Sequence, residues 1–237
     1  STPYAEDAEL NHRGLIPTWN YDTYEGHSAS DNYFVAVAGD DHLPEMAIGR
    51  LPVVEPEEVA RIVDKTVRYA TAPEVGPWRR SALLITNESR GFQRQSDRLA
   101  LDLATAGFAP HKVYPASGET SNEHHTRELI ETFDQGQLFV HFLGHGGRYI
   151  WRTGPPDLEK NHDLFTLDHL DRLASTGRLP VVLSLTCYSA PFDHPSADSI
   201  GEKLLRIGGR CAPTPGTRRS EERRVGKEGR ARWAPYN

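Results

Sequence analysis

The sequence is poor in sulfur. It has two cysteines and one methionine in 237 residues. Two thiols cannot build a disulfide framework, and neither cysteine lies in a CxxC pair of the kind used for zinc or redox chemistry. Long apolar runs are also missing, since no window approaches the roughly 18 to 20 residues that a membrane span requires. There is no basic excess: the formal net charge is -6, which leaves no dominant positive field to collect phosphates and argues against a dedicated nucleic-acid binder. No signal peptide is visible, and the chain opens at Ser1 among polar residues, reading as an internal piece of a longer protein. What remains is an ordinary globular composition, 37% hydrophobic and 25% charged, long enough for one large domain or two small ones.

The last stretch, Arg219 to Asn237, has no hydrophobic period of either kind and carries six Lys/Arg against three Glu. It resembles the conceptual translation of a sequencing adapter and is read as a non-native tail, a basic disordered tail and a nucleic-acid-binding arm being the alternatives. Residues 1–77 read as the end of an N-terminal subdomain plus a linker, and 78–218 as a second subdomain, which the family resemblance given below implies to be catalytic and incomplete at its C-terminus. The stretch Arg210 to Thr217 lacks the apolar run that would continue a sheet, so exposed strand edges and aggregation are expected.

Tyr33 to Ala38 and Met46 to Val54 read as extended segments, the first followed by a Gly39-Asp40-Asp41 turn. Pro56 opens a helix with Val59, Ile62, Val63 and Val67 on one face, ending near Tyr69. Thr71 to Pro77 is the linker. Beyond it, apolar strands alternate with helices. Strands are expected at Ala82–Thr86, Lys112–Tyr114, Leu138–Leu143 and Pro180–Leu185. Helices are expected from Ser96 to Ala106, Thr126 to Phe133, from a cap at Thr166, and from Ser196 to Arg206. Near-continuous apolar strands separated by helices predict an α/β, three-layer sandwich with a mostly parallel sheet covered on both faces.

Ligands of such sheets bind beyond the carboxyl ends of the strands. Two ends carry chemistry: Leu138–Leu143 runs into Gly144-His145-Gly146-Gly147, and Pro180–Leu185 into Thr186-Cys187-Tyr188-Ser189. Adjacent strands lie about 4.8 Å apart, so His145 and Cys187 would face each other if these two strands are neighbours. A thiol with its ordinary pKa near about 8.5 needs a base to become a nucleophile, and an imidazole supplies one and can return the proton to a leaving amine. The amides of Gly146 and Cys187 would then donate to an oxyanion. Each residue also has a plainer reading, Cys187 as a small buried side chain and His145 as a turn residue.

Four blocks carry a family likeness: DNYFVAVAGDDHLPEMAIGRLPV, FLGHGGRYIW, LSLTCYSAPFD and SIGEKLLRIGG. In this order, and with Cys187 placed 42 positions after His145, they resemble the gingipain-like cysteine peptidases, whose fold is shared with caspases and legumains, over about Asp31 to Gly209. The resemblance implies a caspase-hemoglobinase-like fold with Cys187 as nucleophile, His145 as partner, and oxyanion amides at Gly146 and Cys187. It also implies Glu88 as a third, acidic residue and Asp97 as the acid that receives a basic substrate side chain. Trp151 falls in its substrate-binding motif. It implies a polypeptide substrate and a secreted or cell-surface protein. Glu88 as an ordinary surface glutamate and Asp97 as a helix-end acid are the alternatives.

No cofactor is required by this chemistry. Asp31, Asp40, Asp41 and Glu45 offer the oxygen ligands that a structural Ca²⁺ takes, without EF-hand spacing, and a solvated turn is the plainer account. The His124-His125 pair is not read as a metal site, because adjacent residues rarely chelate one ion and no second cluster is evident. Asp193, His194 and Asp198 follow the candidate nucleophile and receive no role. Three functions compete: a cysteine endopeptidase working through a thioester, a non-catalytic binding or structural domain of the same fold, and a sortase-like transpeptidase in protein secretion.

Overall fold

The apolar run Ser81–Thr86 forms β3, every residue from Ala82 to Thr86 being buried. It is the hub of a four-stranded parallel sheet with order β4-β3-β5-β9, made with β4 (Ala109–Val113), β5 (Phe139–Leu143) and β9 (Val181–Leu185). The computed structural model describes residues 16–23, 26–39, 43–154, 161–174, 177–194 and 197–207. The calls on Asp40, Asp41, Ser196, Arg210–Thr217 and the 219–237 tail lie outside them.

α2 (Arg90–Thr105) links β3 to β4 and α3 (Glu123–Asp134) links β4 to β5. Right-handed crossovers place these two helices on opposite faces. The strand order reverses between β3 and β5, and that switch point is where open α/β sheets bind ligands.

The two faces are filled unequally. On one, Leu83, Ile85, Val140 and Phe142 pack with Leu129 and Ile130 of α3 and with Trp151, Leu164, Phe165, Leu170 and Ile200. On the other, α2 packs against β3 and β4, while Val181, Leu183 and Leu185 of β9 are 48%, 46% and 56% exposed. Among the described residues the cover is thinnest over β9, which has no second strand partner among them.

Trp151 and its neighbours belong to a second sheet that the sequence reading missed, β6-β7-β8 (Gly146–Gly147, Ile150–Arg152, Asp163–Thr166), antiparallel throughout. The cap expected at Thr166 opens α4 (Leu167–Leu170), a single turn with a capping box closed by His169. α5 (Ile200–Arg206) begins with Ser199 accepting from the Glu202 amide. Lys65 of α1 (Pro56–Thr71) donates to the carbonyls of Leu205 and Ile207 at its far end, and burial pushes the Lys65 pKa down.

Upstream, two expectations change. Trp19–Thr23 and Gly26–Ser30 pair as the antiparallel hairpin β1-β2, and Asp31–Phe34 is a 3-10 turn instead of the expected strand. Ser30 Oγ caps it, and Arg50 holds Asp31 with two bonds of 2.7 Å. The hydrogen bond from Arg50 keeps the Asp31 carboxyl below the usual range. Asp31 thus pairs with an arginine, and Glu45 accepts the Val37 amide at 2.7 Å. On α1 only Ile62 is buried; Val59, Val63 and Val67 remain exposed. No helix of the described residues is long and apolar enough to cross a membrane.

Candidate active site

Strand register brings the candidate residues together. Thr86 pairs with Leu143, and Leu143 pairs with Leu185, a row across three adjacent parallel strands. Glu88, His145 and Cys187 each stand two residues beyond that row. The neighbour relation assumed from the sequence for His145 and Cys187 is therefore the relation the sheet has.

The loops beyond the row are tied to one another. Gly144 N–H donates to the Leu185 carbonyl at 3.4 Å, linking the last turn of the β5 strand to β9. A side chain at Gly144 would crowd Asn87, at 3.1 Å from its Cβ and 3.2 Å from its amide nitrogen, so the ends of β3 and β5 require glycine here. One at Gly146 would lie 2.7 Å from Thr186 Oγ1 and 3.0 Å from the Ile150 carbonyl, so the histidine loop packs directly on the residue before Cys187. The His145 carbonyl accepts from the Arg152 amide at 2.9 Å, which fixes the histidine to the small sheet. The Phe92 ring of α2 meets the imidazole edge to face, centroids 5.9 Å apart.

Cys187 is exposed and is the one free cysteine of the described residues. Tyr188 directly after it has φ 50, the single non-glycine of the described residues in the left-handed region, a conformation that costs roughly 1–2 kcal/mol. Such local strain gathers at functional turns. α5 closes the arrangement from behind, where Ile200 N–H donates to the Arg148 carbonyl and Gly201 N–H to the Ser189 carbonyl, both at 2.8 Å. The same helix start thus holds the histidine loop and the cysteine loop.

Glu88 is half-buried; its amide donates to the Thr153 carbonyl at 2.6 Å and its carboxylate lies over Gly154 beside His162. Asp97 is elsewhere. α2 starts at Arg90, six residues before the expected cap, so Ser96 is buried within the helix and Asp97 sits in mid-helix. Its carboxylate meets Lys112 Nζ of β4 at 2.6 Å, on the sheet edge opposite β9. That contact raises the Lys112 pKa.

Trp151 requires a correction. Its side chain is fully buried, stacked on Phe142 with centroids 4.7 Å apart and tilted against Phe165, so it cannot present its ring to a substrate. Its link to the site is backbone pairing with Gly146. Asp198 pairs with Arg206 and His194 accepts the Ala197 amide, a local structural use. Sequence reasoning missed Phe92 and Asn87. The first is a lone aromatic in the polar run RGFQRQS, and that contrast was its only signal; the second directly follows a buried strand.

Comparison with known proteins fits this geometry. The profile of Peptidase family C25 matches residues 4–224. The chain belongs to Peptidase family C25. Among curated C25-like relatives, Gingipain R2 of Porphyromonas gingivalis is 25% identical over 195 residues, which is 78% of this chain and 24% of that protein. Lys-gingipain of the same organism is 25% identical over 187 residues, 75% of this chain and 10% of that protein. The solved structure of the Arg-specific cysteine proteinase gingipain R superposes with a TM-score of 0.61 at 21% identity, over 76% of this chain and 40% of that one. This C25 chain thus has the gingipain R fold, an α/β sandwich about a mostly parallel sheet, and spans a quarter or less of the length of these curated relatives.

Proposed function

We propose that the protein is a cysteine endopeptidase, with Cys187 as nucleophile and His145 as the acid–base partner. The observation that carries the proposal is the register row, from which both residues follow by the same two-residue step on neighbouring strands. His145 takes the proton from Cys187 Sγ, and the thiolate attacks the scissile carbonyl carbon. The resulting oxyanion is met by the amides of Gly146 and Cys187, the two loops that pack together at Thr186. The C–N bond then breaks as His145 protonates the leaving amine, and a thioester remains. Water attacks it with His145 as base, releasing the acid and the thiol. Glu88, on the third strand of the row, serves as the acidic member of the group.

Cleavage after a basic residue is the finer part of the proposal, supported by the Arg and Lys preferences in the relatives' names. Asp97 receives that side chain by exchanging Lys112 for the substrate's cation. A polypeptide substrate and a secreted or surface location belong to the same reading.

The test is labelling of the full chain by acyloxymethyl ketone probes bearing Arg, Lys or an apolar residue next to the warhead. Labelling at Cys187 that disappears in Cys187→Ala and falls by about 10²- to 10⁴-fold in His145→Ala is expected. No labelling at Cys187 would instead assign a binding module. Thioester transfer to an added amine in place of hydrolysis would assign a transpeptidase. Asp97→Ala is expected to lose the preference for the basic probes; if the preference is retained, the selectivity lies elsewhere.

A further inference from the structure

We propose that Glu119, His124 and His125 form a Zn²⁺ site that fastens the loop between β4 and α3. The sequence reading set the histidine pair aside for want of a third ligand. The fold supplies one from five residues upstream. One donor atom from each of the three side chains lies within 4.8 Å of the other two. His125 Nε2 and Glu119 Oε2 are already 2.7 Å apart, and the His124 and His125 rings lie tilted by 40° with centroids 3.8 Å apart. Ligand atoms around a tetrahedral zinc with bonds of about 2.0–2.1 Å sit about 3.3 Å from one another. The His125–Glu119 pair needs to open slightly, and the exposed His124 ring needs to turn inward.

The donor set selects the metal. Two imidazoles and one carboxylate suit zinc, whereas calcium and magnesium take oxygen ligands. The solvent side of His124 leaves room for water as a fourth ligand. His125 is buried, and its Nδ1 has no hydrogen-bond partner. Its Nε2 already points at the Glu119 carboxylate, so an ion entering between the two would replace that hydrogen bond.

The two sides of the site differ in rigidity. The start of α3 is anchored, since Asn122 Nδ2 donates to the Asn161 carbonyl at 2.5 Å and Thr126 Oγ1 donates to the Leu164 carbonyl at 2.7 Å. Glu119 sits on a loop that turns at Gly118, φ +87, and is closed by a long bond of 3.4 Å from its own amide to the Ala116 carbonyl. An ion would bind that loop to the anchored helix.

The experiment titrates ZnCl₂ into the full chain carrying Cys187→Ala, against a chromophoric chelator, with thermal unfolding as a second readout. Removing the thiol takes the strongest zinc ligand from the proposed active site and separates this result from the fate of the peptidase reading. One zinc per chain is expected, together with a rise in the melting temperature. Both effects weaken by roughly tenfold or more in affinity in His124→Ala and in Glu119→Gln. His124 is exposed, so its replacement leaves the fold intact. Absence of zinc binding, or binding of equal strength in both variants, would overturn the proposal.

Discussion

A methyl group at position 201 would overlap Cβ of Ala190 and come within 3.1 Å of its Cα and 3.2 Å of the Ser189 carbonyl. Gly201 is needed for closeness, because its amide must reach the carbonyl of Ser189, two residues after Cys187. Gly201→Ala is therefore expected to destabilise by about 1–3 kcal/mol, the usual range for overpacking. It should also slow probe labelling of Cys187 by about tenfold or more at a temperature where the fold persists, since small misplacements of a nucleophile are costly. Circular dichroism melting and labelling kinetics read the two effects separately. Labelling at the unchanged rate would show that α5 does not position the cysteine loop. At this scale the sequence displayed the chemistry clearly. Cys187 and His145 stood out because each directly followed an apolar run. Glu119 did not, because its bond to His125 depends on a turn at Gly118 that no periodicity announces.

The element most at risk is β9. It pairs with β5 alone among the described residues, and one of its faces is half-exposed, whereas β3 is paired on both sides and buried along its length. Local opening follows such differences in protection. Hydrogen exchange followed by mass spectrometry is expected to show the amides of Val181–Leu185 exchanging roughly tenfold or more faster than those of Ala82–Thr86. Equal protection would mean that β9 opens only with the whole sheet. Elements were legible where the apolar run was long: β3, β5, β9 and the proline-started α1 fall within a residue or two of expectation. The β6-β7-β8 sheet was not, since its strands are two to four residues long and the first is a pair of glycines. The beginning of α2 was hidden by polar residues that a surface helix and a loop share. At Tyr33 the β-prone pattern lost to the Ser30 cap and the Asp31–Arg50 pair, a contact 19 residues apart in the chain.

Across the molecule, stability should depend on pH through buried His141 and half-buried His169. Burial lowers the pKa of His141 on β5 and of His169 on α4, with repulsion from Arg172 adding to the second. The unfolded chain therefore binds more protons than the native one just below the ordinary histidine pKa of about 6.5. Stability is complete above that value and declines as pH falls toward the folded-state pKa values. The melting temperature is expected to drop between pH 7.5 and 5.5, above the range in which the lowered carboxylates Asp31, Glu58 and Glu119 lose their charge. His141→Leu should shrink the drop, because His141 Nδ1 has no hydrogen-bond partner to lose. An unaltered slope in that variant would exclude His141 as a source.

The row Thr86–Leu143–Leu185 has one more consequence. Alternate residues of a strand point to opposite faces, so a slip of β9 by a single residue reverses every side chain on it. Cys187 would then leave its line with His145 while the sheet kept the same number of strands. Among the described strands, β5 alone pairs with β9 and resists this slip. A preparation can therefore keep its helical signal and its melting transition while part of its molecules carry the thiol out of step, and titration of reactive Cys187 per chain, not the spectrum of the fold, counts the competent fraction.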